Sequence, residues 1–354
     1  MIDVINTVER FDNESDCWRA IEQNPGMLIF QTFDWCKAAW ECVLSKSDDN
    51  SLWVLKWTQD GRDDVVYFPF YIDGCGTLRI MLDSDTDACN AVYKTVGVNR
   101  YWCYREVADA IKAEPRIKRV WLQKMRCGSE MLDYLGVFLS GALVYKDNAY
   151  AHMALKEGGD ITCSQSHMRS SDRKHWRQLL RKSERFEFAV LSKSDGALFP
   201  EADIRRVAQA MVYAGLRQKG FLSDELIAFA GRLYDNGFCE IPVLKEEGKV
   251  VTIEFRLLKG EYTLDWIFLS GNPSTGTEIN VKYCTERAKA HSGVLDFGVG
   301  AYEYKILTTR PEVGVTFSLR YSKGLVAGVR DLISLGVRLG KDMVKAALAR
   351  RREH

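Results

Sequence analysis

The segment from Tyr262 to Gly298, "YTLDWIFLSGNPSTGTEINVKYCTERAKAHSGVLDFG", decides the fold. Its first part, Tyr262 to Leu269, is rich in aromatic, aliphatic and β-branched residues and predicts a strand. A turn follows, a helix runs from about Glu278 to Ala290, and "GVLDFG" is a second strand. A strand, a turn, a helix and a strand in this order predict a mixed α/β unit.

The turn "GNPSTG" in this segment is a candidate anion site. Backbone N–H groups are free at the start of a helix and the helix dipole is positive there. A coenzyme A diphosphate would be held in this way by Ser274, Thr275, Gly276 and Thr277. Alternatively, Thr275 and Glu278 form a capping box, which closes the helix end and puts an acid where the anion would sit. The pattern leaves both interpretations open.

The first third of the chain alternates strand and helix patterns. We predict a helix that places Trp35 and Trp40 in or beside a core, then antiparallel hairpins, then helices near Asp87 to Val96 and Arg105 to Ala113. Near Asp147 to Tyr150 the pattern restarts with strands, a basic helix and two further helices. We therefore predict an α+β (mixed α/β) protein with mainly antiparallel sheets flanked by helices, divided into residues 1–148, 149–323 and a helical tail, 324–354.

Composition limits the classes of function. The chain has 354 residues, with 49 lysines and arginines against 48 acids, so no overall field favours DNA. The ten cysteines are scattered singly and the histidines lack ligand spacing, so we expect no metal site. An acidic N-terminus without an apolar core, and no apolar run of about 18 residues, favour a cytoplasmic protein with free thiols.

Three ordered blocks carry a resemblance to a known family. "FQTFDWCKAAWE", "RKHWRQLLRKSERFEF" and "LDFGVGAYEYK" resemble the GNAT-superfamily acetyltransferases found with genes for cellulose and other surface polysaccharides. That family looks like two tandem GNAT folds and is related to the Fem aminoacyl transferases. The resemblance implies two GNAT-like domains here, with acetyl-CoA or another acyl-CoA bound by the second as co-substrate.

The last block is the most specific. The family pattern reads D-F-x-R-G-D-E-x-Y-K, and five positions of this chain match it, namely Asp296, Phe297, Gly300, Tyr304 and Lys305. The resemblance adds Tyr304 to the candidate cofactor-binding residues. Three positions depart from the pattern, and these are Val299, Ala301 and Tyr302.

Direct transfer from a thioester to an amine requires a base and a group that polarises the thioester oxygen. No covalent nucleophile is required. The candidate bases are Glu254, Asp265, Asp296 and Glu303, while Lys305 would neutralise a phosphate or the developing oxyanion. Each acid has a structural alternative, because Glu254 and Asp265 could face solvent on alternating strands and Asp296 could cap a turn.

Two basic segments remain. The mid-chain helix carries Arg173, Arg177 and Arg181, which either form a solvated face or bind phosphate on an acceptor. In the tail, apolar residues alternate with basic ones, so it is either a helix that closes over the first domain or an amphipathic helix in peripheral contact with an anionic membrane.

The leading hypothesis is an N-acyltransferase that moves an acetyl or other acyl group from acyl-CoA to an amine, such as an amino sugar in a surface-polysaccharide precursor. A Fem-like transferase that uses charged tRNA is one alternative. A non-catalytic binding protein that kept the GNAT fold is another, because Val299, Ala301 and Tyr302 replace the polar centre of the motif.

Overall fold

The computed structural model describes residues 1–24, 26–59, 64–93, 100–155, 169–271, 275–290, 293–300, 310–324 and 328–337. In the first half the strands are β1 (Ile2–Ile5), β2 (Ser51–Leu52), β3 (Val54–Thr58), β4 (Val65–Phe68), β5 (Phe70–Ile72), β6 (Thr77–Ile80), β7 (Val92–Tyr93) and β8 (Arg119–Arg126). The helices are α1 (Val8–Asn13), α2 (Ser15–Ile21), α3 (Phe33–Cys42), α4 (Arg100–Ala113) and α5 (Glu130–Phe138).

In the second half the strands are β9 (Leu143–Leu155), β10 (Glu187–Leu191), β11 (Cys239–Glu246), β12 (Lys249–Lys259), β13 (Tyr262–Ser270), β14 (Gly293–Val299) and β15 (Glu312–Ser322). The helices are α6 (Ser170–Ser183), α7 (Glu201–Tyr213), α8 (Asp224–Asp235), α9 (Gly276–Ala290) and α10 (328–337). The predicted strand–turn–helix–strand unit is therefore present as β13, α9 and β14.

Both halves contribute to one long sheet. Its 11 strands run in the order β10-β11-β12-β13-β14-β9-β15-β8-β6-β5-β2, and a second sheet of four strands runs β1-β3-β4-β7. The late strand β15 lies between β9 and β8, antiparallel to both. The division predicted at residues 148/149 falls inside β9, so the sheet passes from one half to the other without a break.

In the long sheet, adjacent strands run parallel at two places, between β6 and β8 and between β13 and β14. All other adjacent strands that the structure describes run antiparallel. β6 and β8 pair over two residues, and β13 and β14 pair over three. In each pair both strands continue beyond the last pairing, so a gap opens between them. We call the space between β6 and β8 the first gap and that between β13 and β14 the second gap.

Helices cover both faces of the sheet. Trp35 of α3 is fully buried and its ring lies 4.8 Å from that of Phe229 on α8 and 5.5 Å from that of Trp266 on β13. The first half thus packs directly on the second through aromatic side chains, which bury large apolar areas. On the opposite face, Trp176 and Leu179 of α6 join α9 over β9 and β14.

The α+β fold, the mainly antiparallel sheets and the core positions of Trp35 and Trp40 are confirmed. The helix predicted near Asp87 to Val96 is wrong where the structure describes it, because 87–91 is not helical and β7 follows. Polar partners hold this backbone in place of helical bonds. Gln31 donates from its side chain to the carbonyl of Ala91 at 2.6 Å, and the N–H of Cys89 donates to the carbonyl of Lys124 at 3.3 Å.

The C-terminal tail is helical over 328–337, and residues 338–354 lie outside the described part of the chain. Within the described residues, no helix is both long enough and apolar enough to cross a membrane.

Candidate active site

The second gap begins at the pair Leu264 and Asp296, where β13 and β14 are last paired. Asp265 is the first residue beyond this pair. A β-bulge at Trp266 follows, because Asp265 pairs with Arg256 whereas Ile267 pairs with Phe255. The bulge turns the indole of Trp266 toward the core and leaves Asp265 beside Arg256 at the apex of the gap.

A loop of the first half forms one wall of the gap. The carboxylate of Asp87 accepts the N–H of Val299 at 3.1 Å, and the indole N–H of Trp266 donates to the carbonyl of Asp85 at 2.7 Å. Gly298 makes this approach possible, since its φ is +70° and a Cβ there would lie 2.4 Å from Asp87 Oδ2 and 2.8 Å from the carbonyl oxygen of Asp265. The apex is therefore enclosed by elements of both halves.

Asp296 ties the two halves together. Its carboxylate accepts hydrogen bonds from the guanidinium of Arg126, on β8, and from the hydroxyl of Tyr262, and also accepts the N–H of Gly298 at 2.8 Å. Asp296 is fully buried, and burial together with its charge raises the pKa of Tyr262 well above the ordinary value. We call Arg126, Tyr262 and Asp296 the inter-half clamp. Asp296, one of the candidate bases, is therefore engaged in an ion pair with Arg126.

A second buried charge lies under α9. Arg256 is fully buried, its Nε donates to Glu254 at 3.0 Å, and its Nη2 donates to Asn280 at 3.1 Å. The guanidinium lies 4.4 Å from the ring centre of Tyr283. Burial alone would lower the pKa of Arg256, but the charges of Asp265 and Glu254 outweigh burial and raise it. Glu254 is thus committed to neutralising a buried arginine rather than facing solvent.

Asp265 differs from these two carboxylates. It is 8% exposed, and its side chain forms no hydrogen bond or ion pair with any residue that the structure describes. It nevertheless lies close enough to Arg256 to raise the pKa of that guanidinium. At the apex of the gap, therefore, no described residue engages the oxygens of Asp265, and a buried cation lies beside them.

The start of α9 is the predicted diphosphate site. The hydroxyl of Thr275 lies 2.5 Å from those of Thr252 and Ser270. A Cβ at Gly276 would lie 2.8 Å from the ring of Phe268, so the glycine allows that ring to pack on the first turn. Glu278 is buried, and its Oε2 has no hydrogen-bond partner among the described residues. A carboxylate at this end competes with a bound anion.

The basic helix is α6, as predicted. Trp176 and Leu179 bury one face, while Arg177 and Arg181 are exposed and Arg173 is half-buried. None of the three arginines forms an ion pair with a residue that the structure describes. Arg177 and Arg181 therefore belong to an exposed cationic surface, separate from the buried charges around Arg256.

The structure brings Glu254 and Asp265 together around Arg256 and places Asp296 in the inter-half clamp. Thr277 lies in the first turn of α9. Four other predicted site residues, Ser274, Glu303, Tyr304 and Lys305, lie outside the described residues. Among the residues described, no three His, Cys, Asp or Glu side chains are grouped to hold a metal.

Sequence reasoning missed Arg126, Arg256 and Asp87. For Arg256 a signal exists, because a single glutamate and a single arginine interrupt the apolar strand "VTIEFRLL", and charges in a buried strand must pair. Arg126 and Asp87 lie more than 160 residues from their partners in the second half. Nothing local in the sequence indicates such a pairing.

No protein-family model matches this sequence, and no curated protein matches it. Solved structures do match. FemX superposes with a TM-score of 0.56 at 10% identity, covering 94% of this chain and 99% of its own. L-PGS from Bacillus licheniformis gives 0.55 at 12%, covering 90% and 95%, respectively. A tandem GNAT protein from the clavulanic acid biosynthesis pathway gives 0.51 at 10%, covering 92% and 99%. The fold is therefore a tandem GNAT-like fold.

Proposed function

We propose that this protein is an N-acyltransferase in which an acyl donor and an amine meet at the apex of the second gap. The observation that carries the proposal is the state of Asp265. It is a nearly buried carboxylate at the point where β13 and β14 part, and its oxygens are not engaged by any residue that the structure describes. The other two described candidate acids are held by Arg126 and Arg256.

In the proposed reaction the amine nitrogen attacks the thioester carbon. A C–N bond forms, the C–S bond breaks, and the thiolate leaves. Asp265 accepts the proton that the amine loses, directly or through one water, and the proton passes on to the leaving sulfur. Arg256 stabilises the negative charge that develops, because a fixed cation in a water-poor site interacts strongly with it. Nη1 of Arg256 has no hydrogen-bond partner among the described residues, so in this proposal it donates a hydrogen bond to the developing oxyanion.

Acyl-CoA is the proposed donor, with acetyl-CoA as the simplest case. Beyond Leu264 and Asp296 the strands β13 and β14 no longer pair with each other. Apart from the N–H of Val299, which Asp87 accepts, their facing backbone groups are the proposed partners of a linear amide-bearing arm such as pantetheine. The proposed acceptor is an amino sugar or a similar amine from a surface-polysaccharide precursor, for which the motif at Asp296 is the support.

A second candidate donor is an aminoacyl-tRNA. Two observations favour it. The exposed arginines of α6 lack ion-pair partners among the described residues, as a surface for a nucleic-acid backbone requires. The buried carboxylate of Glu278 stands at the start of α9, where a CoA diphosphate would otherwise bind.

Calorimetric titration with acetyl-CoA, followed by transfer of labelled acetyl to glucosamine, tests the first donor. Saturable heat and labelled product support acyl-CoA. If neither heat nor product appears, and the purified protein retains tRNA that added salt releases, the donor is the second candidate. If the protein binds neither acetyl-CoA nor tRNA, it is a binding protein without catalysis and the Asp265 mechanism is wrong.

A further inference from the structure

The helix α10 exposes apolar side chains where a closing helix would bury them. Val329, Leu332, Ile333 and Val337 are 49%, 57%, 64% and 54% exposed, respectively. They recur at spacings of three and four residues, so they share one face of the helix. The polar side holds the helix on the sheet instead, since the hydroxyl of Ser322 on β15 donates to the carboxylate of Asp331.

The exposed apolar surface continues from α10 onto the start of β9. Leu143 of β9 lines the same cavity of about 370 Å³ as Val329 and Leu332. The next residue, Val144, lies on the opposite face of the sheet, beside Gly136 of α5. The apolar surface therefore consists of α10 and the adjoining Leu143, and an exposed apolar patch of this kind marks an interaction site.

Arginines surround the other side of α10. A cavity of about 330 Å³ between α10 and the sheet is lined by Arg119, Arg320 and Arg330. Two carboxylates also line it, and both are engaged, Asp73 by Arg79 and Asp331 by the hydroxyl of Ser322. None of these three arginines forms an ion pair with a residue that the structure describes. The guanidinium of Arg320 lies 4.3 Å from the ring centre of Trp121, and its Nε has no hydrogen-bond partner in the described part of the chain. We call this site the arginine pocket.

We propose that α10 docks on an anionic lipid bilayer, with its apolar face in the acyl boundary and the arginine pocket against lipid phosphate. Ten residues of helix span about 15 Å, which is too short to cross a bilayer but suits a helix lying in its surface. Residues 323–354 carry eight lysines and arginines against three acids, so the segment complements a negative surface. This proposal is independent of the acyl donor.

A second copy of the chain fits this surface less well. Four partly exposed side chains offer much less than the roughly 800 Å² that each partner buries in a stable interface. The available area therefore argues against a second copy, and the excess of basic residues in 323–354 favours an anionic bilayer.

Flotation of the full chain with vesicles tests the proposal. We expect binding to vesicles of equal parts phosphatidylcholine and phosphatidylglycerol, weak binding to phosphatidylcholine alone, and loss of binding as salt rises. The double variant Leu332→Asp, Ile333→Asp should bind at least about tenfold more weakly, because two apolar side chains no longer enter the boundary. Leu198→Asp is the matched control, since Leu198 is 83% exposed elsewhere and should retain full binding.

Charge reversal separates the two parts of the surface. The variant Arg119→Glu, Arg330→Glu should lose the preference for phosphatidylglycerol while α10 keeps its apolar face. Equal binding by all variants, equal binding to neutral and anionic vesicles, or no binding to either would overturn the proposal. A dimer in light scattering that dissociates in the Leu332→Asp, Ile333→Asp variant would also overturn it, by assigning the surface to a second copy.

Discussion

The two gaps in the long sheet share their geometry and differ in what fills them. In the first gap, the residue just beyond the last parallel pair is Arg79, which donates to Asp73 at 2.8 Å and to Asp83 at 3.0 Å and lies 4.6 Å from the ring centre of Trp121. In the second gap, the equivalent residue is Asp265, which has no such partner among the described residues. The strand arrangement is repeated but the charged contacts are not, because described ion pairs engage Arg79 in the first gap and no described residue pairs with Asp265 in the second.

The inter-half clamp connects the two regions, since Arg126 lies on a strand of the first gap and Asp296 on a strand of the second. Arg126→Met leaves the fully buried carboxylate of Asp296 without its cation, so we expect a loss of about 3–5 kcal/mol in the free energy of unfolding. Urea denaturation measures it.

The control for the clamp is Arg205→Met, which breaks only exposed ion pairs and should cost about 1 kcal/mol or less. An Arg126→Met variant no less stable than this control would show that the clamp does not hold the halves together.

In the first gap, Arg79→Met should cost about 2 kcal/mol, because Asp83 and Asp73 each lose a charge-assisted hydrogen bond. Burial already raises the pKa of Asp83, so this carboxyl tolerates the loss of its cation poorly. The acyl-transfer rate should not change. A fall in that rate would show that the first gap also takes part in the chemistry.

A single methyl group added at Gly298 would push against the loop of Asp87, which forms one wall of the second gap. Gly298→Ala combines an unfavourable positive φ with contacts to Asp87 and the Asp265 carbonyl, and we expect it to cost about 1–3 kcal/mol more than Gly196→Ala. Gly196 has a φ of +73° and open space around its Cβ position, so it reports the backbone term alone. Equal losses by thermal unfolding would mean that Asp87 moves aside freely.

The smallest effect is expected at the paired end of β13 and β14, where a cavity of about 710 Å³ is lined by Glu22 and Tyr262 among other residues. Burial raises the pKa of Glu22 above 4.5, so the folded state binds this proton more tightly than the unfolded state. Stability is therefore lost as pH rises from the ordinary to the raised pKa. Glu22→Gln should stabilise the fold by less than about 1 kcal/mol at neutral pH and by less still near pH 4. An equal gain at both pH values in urea unfolding would contradict this.

Local patterns predicted much of the fold. Ser223 caps α8 by accepting the N–H of Leu226, and turns at Glu247-Gly248 and at Gly260 join the strands. A serine before a helix and a glycine in a turn are signals that the sequence alone carries. The region of Asp87 was misassigned because its backbone conformation depends on Gln31 and Lys124, which are distant in sequence.

For the candidate site, the sequence identified the carboxylates but not their partners. Glu254, Asp265 and Asp296 look alike on alternating strands, and only the positions of Arg126 and Arg256 distinguish them. Asp296 gains its cation from β8, and that strand lies beside β15 rather than beside β14. Such a pairing follows from the topology of the whole sheet and cannot be derived from one segment.

The central claim is that Asp265, alone among these described carboxylates, takes the proton of the amine. The most direct measurement is the pH profile of acetyl transfer to glucosamine for Asp265→Asn, with Asp83→Asn as the same change in the first gap. We predict that Asp265→Asn lowers kcat at least about a hundredfold and removes the rise of rate with pH, while acetyl-CoA binding remains and Asp83→Asn behaves as the wild type. A wild-type kcat and pH profile in Asp265→Asn would contradict the claim.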